Sequence, residues 1–186
     1  MHNARPVALA VACLLLPALV PTAQAKLPET KTNRIVPGKK VAGVKLGMKM
    51  KRAAKVWKME EGHGCYQEFG YEGLRCMFEV SPSGANFHTG NISYFGQKKV
   101  KRILLNAPHQ GMPDFHFNSK MNRYKTKKGV RIGATKQKLD NEFGNKLKRT
   151  GSNAGYTTFT VAGPKKAKSI FTLYGGRITS IDLTAG

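Results

Sequence analysis

Apolar residues recur along this chain in two rhythms, and each rhythm occurs twice. Gly43-Val44-Lys45-Leu46-Gly47-Met48 reads as a short apolar strand with a basic residue in its middle that runs into glycine, and Gly129-Val130-Arg131-Ile132-Gly133-Ala134 repeats the pattern. Behind each lies a stretch at helical spacing that ends on an aromatic, Trp57 in the first and Phe143 in the second. Met50, Ala53, Ala54 and Trp57 fall at i, i+3, i+4 and i+7, which predicts a short helix with one apolar face. In the second copy Leu139 and Phe143 share a face, Thr135 is placed to cap the helix and Gly144 to stop it.

After each helix the period changes from helical to alternating. Cys76, Phe78 and Val80 alternate with Met77 and Glu79, and Ser81-Pro82-Ser83-Gly84 marks a turn. Residues 91–95 and 100–105, joined by Gly96-Gln97-Lys98-Lys99, read as a hairpin. Residues 156–161 alternate, and residues 168–174 and 178–183 form a second hairpin around Gly175-Gly176-Arg177. The fold class expected is α+β, built from two tandem helix-plus-antiparallel-strand units at 40–105 and 127–186 with a linker at 106–126. In that linker His109, Asp114 and His116 match no standard metal spacing, and Phe115 and Phe117 are expected to fasten it to the core.

Residues 1–25 read as a secretory leader: Arg5 supplies the positive end, Val7 to Val20 the apolar region, and Ala23-Gln24-Ala25 a small-x-small cleavage site. Lipid attachment at Cys13 is the alternative, against which Leu14-Leu15-Leu16 continues the apolar region where a mature chain should turn polar. No later run approaches transmembrane length, so an exported protein, secreted or held in the cell envelope, is expected. Residues 26–39, polar and carrying Pro28 and Pro37, suggest a flexible arm. With Cys13 removed, Cys65 and Cys76 remain, and an even count in an oxidising compartment leads to the expectation of a disulfide. A catalytic or metal-binding cysteine pair is the rival reading, and it lacks both CxxC-like spacing and partnered histidines.

Charge adds a candidate chemistry. Lys and Arg number 32 against 10 Asp and Glu, for a net charge of +22. Such a field draws a protein towards polyanions, while lysines scattered over a solvated surface would give the same count. Two clusters stand out: Lys49, Lys51, Arg52 and Lys55 around the first helix, and Lys98, Lys99, Lys101 and Arg102 in the first hairpin. The first helix has no acidic residue until Glu60, and cations in a first helical turn oppose the helix dipole.

A strand and turn of Gly-apolar-basic-apolar-Gly-Met, a short helix ending near Trp or Phe, and three antiparallel strands resemble the unit shared by the β-lactamase inhibitor protein family and the BamE/SmpA outer-membrane assembly domain. Two tandem copies resemble the inhibitor more, and Cys65 and Cys76 lie where inhibitor-type units tend to carry a disulfide. Met48 is matched by Ala134 in the second unit, which has no cysteine pair. The resemblance implies helices over one face of a continuous curved sheet, with the other face open to a partner. Phe78, Val80, Ile103, Leu105, Phe159, Val161, Phe171, Leu173, Ile181 and Leu183 can then face the helices, and Tyr156, Thr158, Thr160, Thr172, Tyr174, Ser180 and Asp182 the outside.

No Ser/His/Asp set stands in a recognised local motif and no glycine-rich run resembles a nucleotide cradle, so neither enzyme activity nor a cofactor or metal is expected; His63 and His88 are the residues that a catalytic set assembled from distant positions would use. Two functions from different classes remain. One is a protein-binding module or inhibitor that contacts a secreted or envelope protein through Tyr156, Thr158, Thr172 and Tyr174. The other is a binder of an anionic envelope polymer through the two basic clusters. Nucleic acid is a lesser variant, since an exported protein rarely meets it and no base-stacking motif stands out.

Overall fold

A computed structural model describes residues 30–59, 65–67, 73–80, 90–107 and 121–186. The chain is α+β, mostly antiparallel sheet, with two α-helices among the described residues. β1 (Ile35–Val36), β2 (Lys40–Val41) and β3 (Val44–Lys45) form a small antiparallel sheet that leads into α1 (Met50–Val56). β4 (Cys65–Gln67), β5 (Leu74–Val80), β6 (Gly90–Gly96) and β7 (Val100–Asn106) follow. After a 3₁₀ turn at Met121–Arg123 come α2 (Lys136–Phe143), β8 (Leu147–Asn153), β9 (Tyr156–Ala162), β10 (Lys168–Tyr174) and β11 (Arg177–Thr184). These last eight strands make one sheet in the order β4-β5-β6-β7-β11-β10-β9-β8, with every neighbouring pair antiparallel. β7 and β11 meet at its centre, with Leu105 opposite Ile181 and Ile103 opposite Leu183.

Strand alternation decides what each face carries. Ile92, Tyr94, Ile103, Leu105, Phe159, Phe171, Ile181 and Leu183 belong to one parity, and all lie in a single core cluster with Met50, Ala53 and Trp57 of the first helical segment and Leu139 of α2. Full burial of one such side chain contributes about 1.5–3 kcal/mol. Trp57 is fully buried, donates its indole N–H to the Ala42 carbonyl at 3.2 Å and meets Tyr94 edge-on at 5.1 Å between ring centroids. The face of α1 read from the sequence is the one that packs, with Ala54 half-buried at its margin.

Burial pushes the Tyr94 phenol up to about 12. Its proton is therefore retained in the folded chain after an unfolded tyrosine has lost its own, at about pH 10. The resulting stability is fully present below pH 10 and lost as pH rises towards 12, a loss of about 2–3 kcal/mol. Urea unfolding at pH 9 and pH 11 should show about half of that loss, and Tyr94→Phe, which gives up the hydroxyl's contact with Met59 Sδ at 3.4 Å, should reduce it. An unchanged slope in Tyr94→Phe would assign the alkaline loss to other groups.

The two glycine turns have the same backbone. Gly43 and Gly129 both have φ +87°, and Gly47 and Gly133 have φ +80° and +81°, a left-handed region that glycine enters without steric cost. Their hydrogen bonds correspond as well. Gly47 N–H donates to the Val100 carbonyl and Gly133 N–H to the Ile178 carbonyl, both at 2.8 Å. Val100 N–H returns to Met48 and Ile178 N–H to Ala134, at 2.8 and 2.9 Å. Each turn is thus stitched to the first residues of a strand, β7 or β11, and delivers the chain into a helix. Thr135 caps α2 through the Lys138 N–H, and Gly144 ends it. Lys49 stands at the corresponding place before α1 with no side-chain cap and no acid in the first turn.

Four features differ from the sequence reading. Among the described residues each helix is followed by four strands where three were expected. β8 escaped notice because Leu147-Lys148-Arg149-Thr150-Gly151-Ser152-Asn153 is an edge strand with one half-buried residue and so has no apolar alternation to reveal it. Ile35, inside the stretch read as a flexible arm, is buried, and its N–H donates to the Lys125 carbonyl at 2.8 Å. Met121, Tyr124 and Thr126, at the end of the linker, are buried too. Asp182, expected to face outwards, is buried for a reason given below. Cys65 and Cys76 are opposite residues of β4 and β5, with Sγ atoms 2.14 Å apart as a disulfide. The leader, the turn at 81–84, His63, His88, His109, Asp114, Phe115, His116 and Phe117, and the side chains of Phe78 and Val80, lie outside the described residues.

Candidate functional site

The second parity of the sheet carries the residues singled out for protein recognition. Tyr156 and Tyr174 are directly opposite on β9 and β10, as are Thr158 and Thr172, so the four residues form a block at one end of the sheet. The tyrosine rings lie 4.9 Å apart at 36°. Tyr174 is 46% exposed, one of two large apolar side chains so exposed among the described residues, and the other three are half-buried. The adjoining turn makes room for the pair. Ala154 and Gly155 both have positive φ, the signature of a tight hairpin turn, and a Cβ on Gly155 would come 3.1 Å from the Tyr174 ring. Beside them the Thr150 hydroxyl of β8 and the Thr160 hydroxyl of β9 lie 3.0 Å apart. The edge of the sheet therefore presents hydroxyls and two ring faces in a fixed arrangement.

Towards the centre the same face is closed. Phe95 is buried, with its cross-strand neighbours Arg75 and Arg102 over the ring at 5.1 and 5.2 Å. Arg102 Nε donates to both Asp182 oxygens at 3.0 Å, and its Nη2 lies 2.9 Å from Oδ2. Burial raises the Asp182 carboxyl above the ordinary carboxylate range, and the hydrogen bond and charge of Arg102 pull it back only in part. Removing the guanidinium would leave a buried, unpaired carboxylate. Arg102→Ala should lower stability by about 1–3 kcal/mol, less than a wholly buried pair would lose because Arg102 is itself partly solvated. Arg102→Lys should recover a fraction of it in urea denaturation, since lysine cannot reproduce the two-oxygen grip.

The basic residues divide differently from the way the sequence grouped them. Lys49 and Lys99 form an antiparallel bridge, and Met50 N–H donates to the Lys98 carbonyl at 3.1 Å, so the start of α1 and the β6–β7 turn are brought together. Lys49, Lys51, Arg52, Lys55, Lys98, Lys99 and Lys101 are exposed. Lys98, Lys99 and Lys101 also border a hollow of about 440 Å³. Arg102 does not belong with them: it is on the sheet face, held by Asp182. A second group of lysines, on the β1–β3 hairpin and the turn after β9, was not singled out because its members are more than a hundred positions apart and meet only in the fold.

Among the described residues no group of His, Cys, Asp and Glu is arranged to hold a metal ion, and no helix is long and apolar enough to cross a membrane. No family model, no curated protein and no solved structure matches the chain.

Proposed function

We propose that the chain is an exported, non-enzymatic binding protein that grips a protein partner through the sheet face at its β8–β10 end, with Tyr156, Thr158, Thr172 and Tyr174 as the central contacts. The observation that carries this reading is the tyrosine pair, Tyr174 exposed and Tyr156 half-buried against it, on a face whose reverse side is packed core. Large aromatic rings with polar tips dominate binding energy where they can be buried against a partner. A net charge of +22 suits a partner with an acidic surface. In this reading the chain is two copies of one unit that together make a curved sheet with helices on one side, the arrangement implied by the resemblance to β-lactamase inhibitor proteins. The matched turn dihedrals, the matched hydrogen bonds into β7 and β11, and the central pairing of those two strands support it. The test is capture of a discrete protein by the intact chain and its loss in a Tyr156→Ala/Tyr174→Ala variant.

A second reading has its own observation. The bridge between Lys49 and Lys99 merges two lysine runs into one exposed basic surface, which suits an anionic polymer of the cell envelope. Binding of that kind weakens steeply with salt because it is driven by counterion release. Retention on an anionic polymer that is indifferent to ionic strength would exclude it.

A further inference from the structure

Lys39, Lys40 and Lys45 of the β1–β3 hairpin and Lys165 of the turn after β9 line a cleft of about 610 Å³. Its walls are held by backbone. Gly38 and Gly163 approach so closely that a Cβ on Gly38 would lie 2.6 Å from the Gly163 Cα. Gly38 N–H donates to the buried Ser169 hydroxyl at 2.6 Å, and Leu46 N–H to the Lys39 carbonyl at 2.9 Å. The lysines are therefore mounted on a frame fixed independently of their own side chains.

Three features of this frame are unfavourable without a ligand. Lys40 and Lys45 are directly opposite on β2 and β3, a like-charge pair of the kind that destabilises a ladder. Lys165 and Lys166 both occupy the left-handed region, with φ +53° and +60°, in consecutive positions where glycine or asparagine would be free of strain. Among the described residues no acidic side chain lines the cleft, and the carboxylates of Asp140, Glu142 and Asp182 are committed to Lys136, Thr126 and Arg102. Four lysines thus line the cleft with no acidic side chain beside them among the described residues, and a bound anion would offset the conformational and electrostatic cost.

We infer that the cleft binds a ligand carrying two or more phosphate groups. Lysine ammoniums are point charges that suit compact oxyanions of high charge, whereas the planar arginine fork used for single carboxylates is absent from the lining. A water occupies about 30 Å³ in the liquid, so one phosphate would leave most of the cleft solvated and a short chain of them would fill it. The site is distinct from the tyrosine face and shares no residue with the Lys49 and Lys98 cluster.

Titration of the full chain with inorganic tripolyphosphate, by calorimetry, tests the assignment. Lys165→Gly should weaken binding by about 10- to 100-fold, as loss of one charged hydrogen bond does, while the melting temperature without ligand holds or rises because glycine relieves the left-handed backbone. Lys40→Gln/Lys45→Gln should weaken binding at least as much. Lys146→Gln/Lys148→Gln, which removes the same charge elsewhere, should stay within about threefold of the parent, since exposed distant charges are screened. Vesicles containing cardiolipin, whose headgroup carries two phosphates, separate two sources of the ligand: Lys165-dependent vesicle binding assigns a lipid headgroup, and Lys165-dependent binding of tripolyphosphate alone assigns a soluble polyphosphate. Binding of both probes that ignores Lys165→Gly, absence of binding to either, or an equal loss in Lys146→Gln/Lys148→Gln would overturn the inference.

Discussion

Trp57→Ala should destabilise the protein by about 3–5 kcal/mol, the range for removing a large aromatic from a packed core. Trp57 is fully buried and ties three parts of the fold together: the end of α1, the Ala42 carbonyl in the β2–β3 turn and the Tyr94 ring on β6. Alanine would leave a cavity, free a buried carbonyl and remove the edge-to-face contact at once. Since single domains unfold at about 5–15 kcal/mol, a third or more of the total is at stake. Phe143 stands in the corresponding place at the end of α2, but it is half-buried and contacts Phe171 at 5.4 Å, so Phe143→Ala should cost less, about 2 kcal/mol. Urea denaturation followed by circular dichroism compares the two, because Trp57 is the sole tryptophan and its removal abolishes the fluorescence signal. A loss below about 1 kcal/mol for Trp57→Ala would mean that the core does not close around it.

How much of this was legible in the sequence depended on whether burial imposed a rhythm. The face of α1 with Met50, Ala53 and Trp57, the caps at Thr135 and Gly144, and the hairpins β6–β7 and β10–β11 all bury one side and leave the other polar, and all were readable. β8 buries almost nothing, and its pairing is imposed by β9 and the Ala154-Gly155 turn. Ile35 and Tyr124 sit in polar, proline- or lysine-rich surroundings, and only long-range contact with the core shows that they belong to it. The tyrosine and threonine block was grouped by alternation, with the open face taken from the family resemblance, because register decides which residues share a face. Asp182 shows the limit of that logic, since parity put it on the outer face and pairing with Arg102 buried it there. The four-lysine cleft left no linear signal, as its residues come from a hairpin and a turn that are distant in the chain.

Tyr156→Ala/Tyr174→Ala should weaken binding to a protein partner by about a thousandfold or more, since truncating each of two neighbouring aromatic anchors typically costs at least 2 kcal/mol of affinity. The same change should cost about 1–2 kcal/mol of stability, because neither ring is in the core and what is lost is chiefly their mutual contact at 4.9 Å. The separation between a large loss of affinity and a small loss of stability is what distinguishes a recognition surface from an ordinary solvated sheet face.

The most direct measurement is capture by the immobilised chain from culture medium and envelope fractions at about 1 M salt, where the Debye length falls to about 3 Å and contacts made by charge alone are screened. A discrete protein retained by the parent and released by Tyr156→Ala/Tyr174→Ala, with melting curves showing both chains folded, is the expected result. Equal retention by the folded double variant, or loss of every bound component from the parent at that salt, would contradict recognition through the tyrosine face.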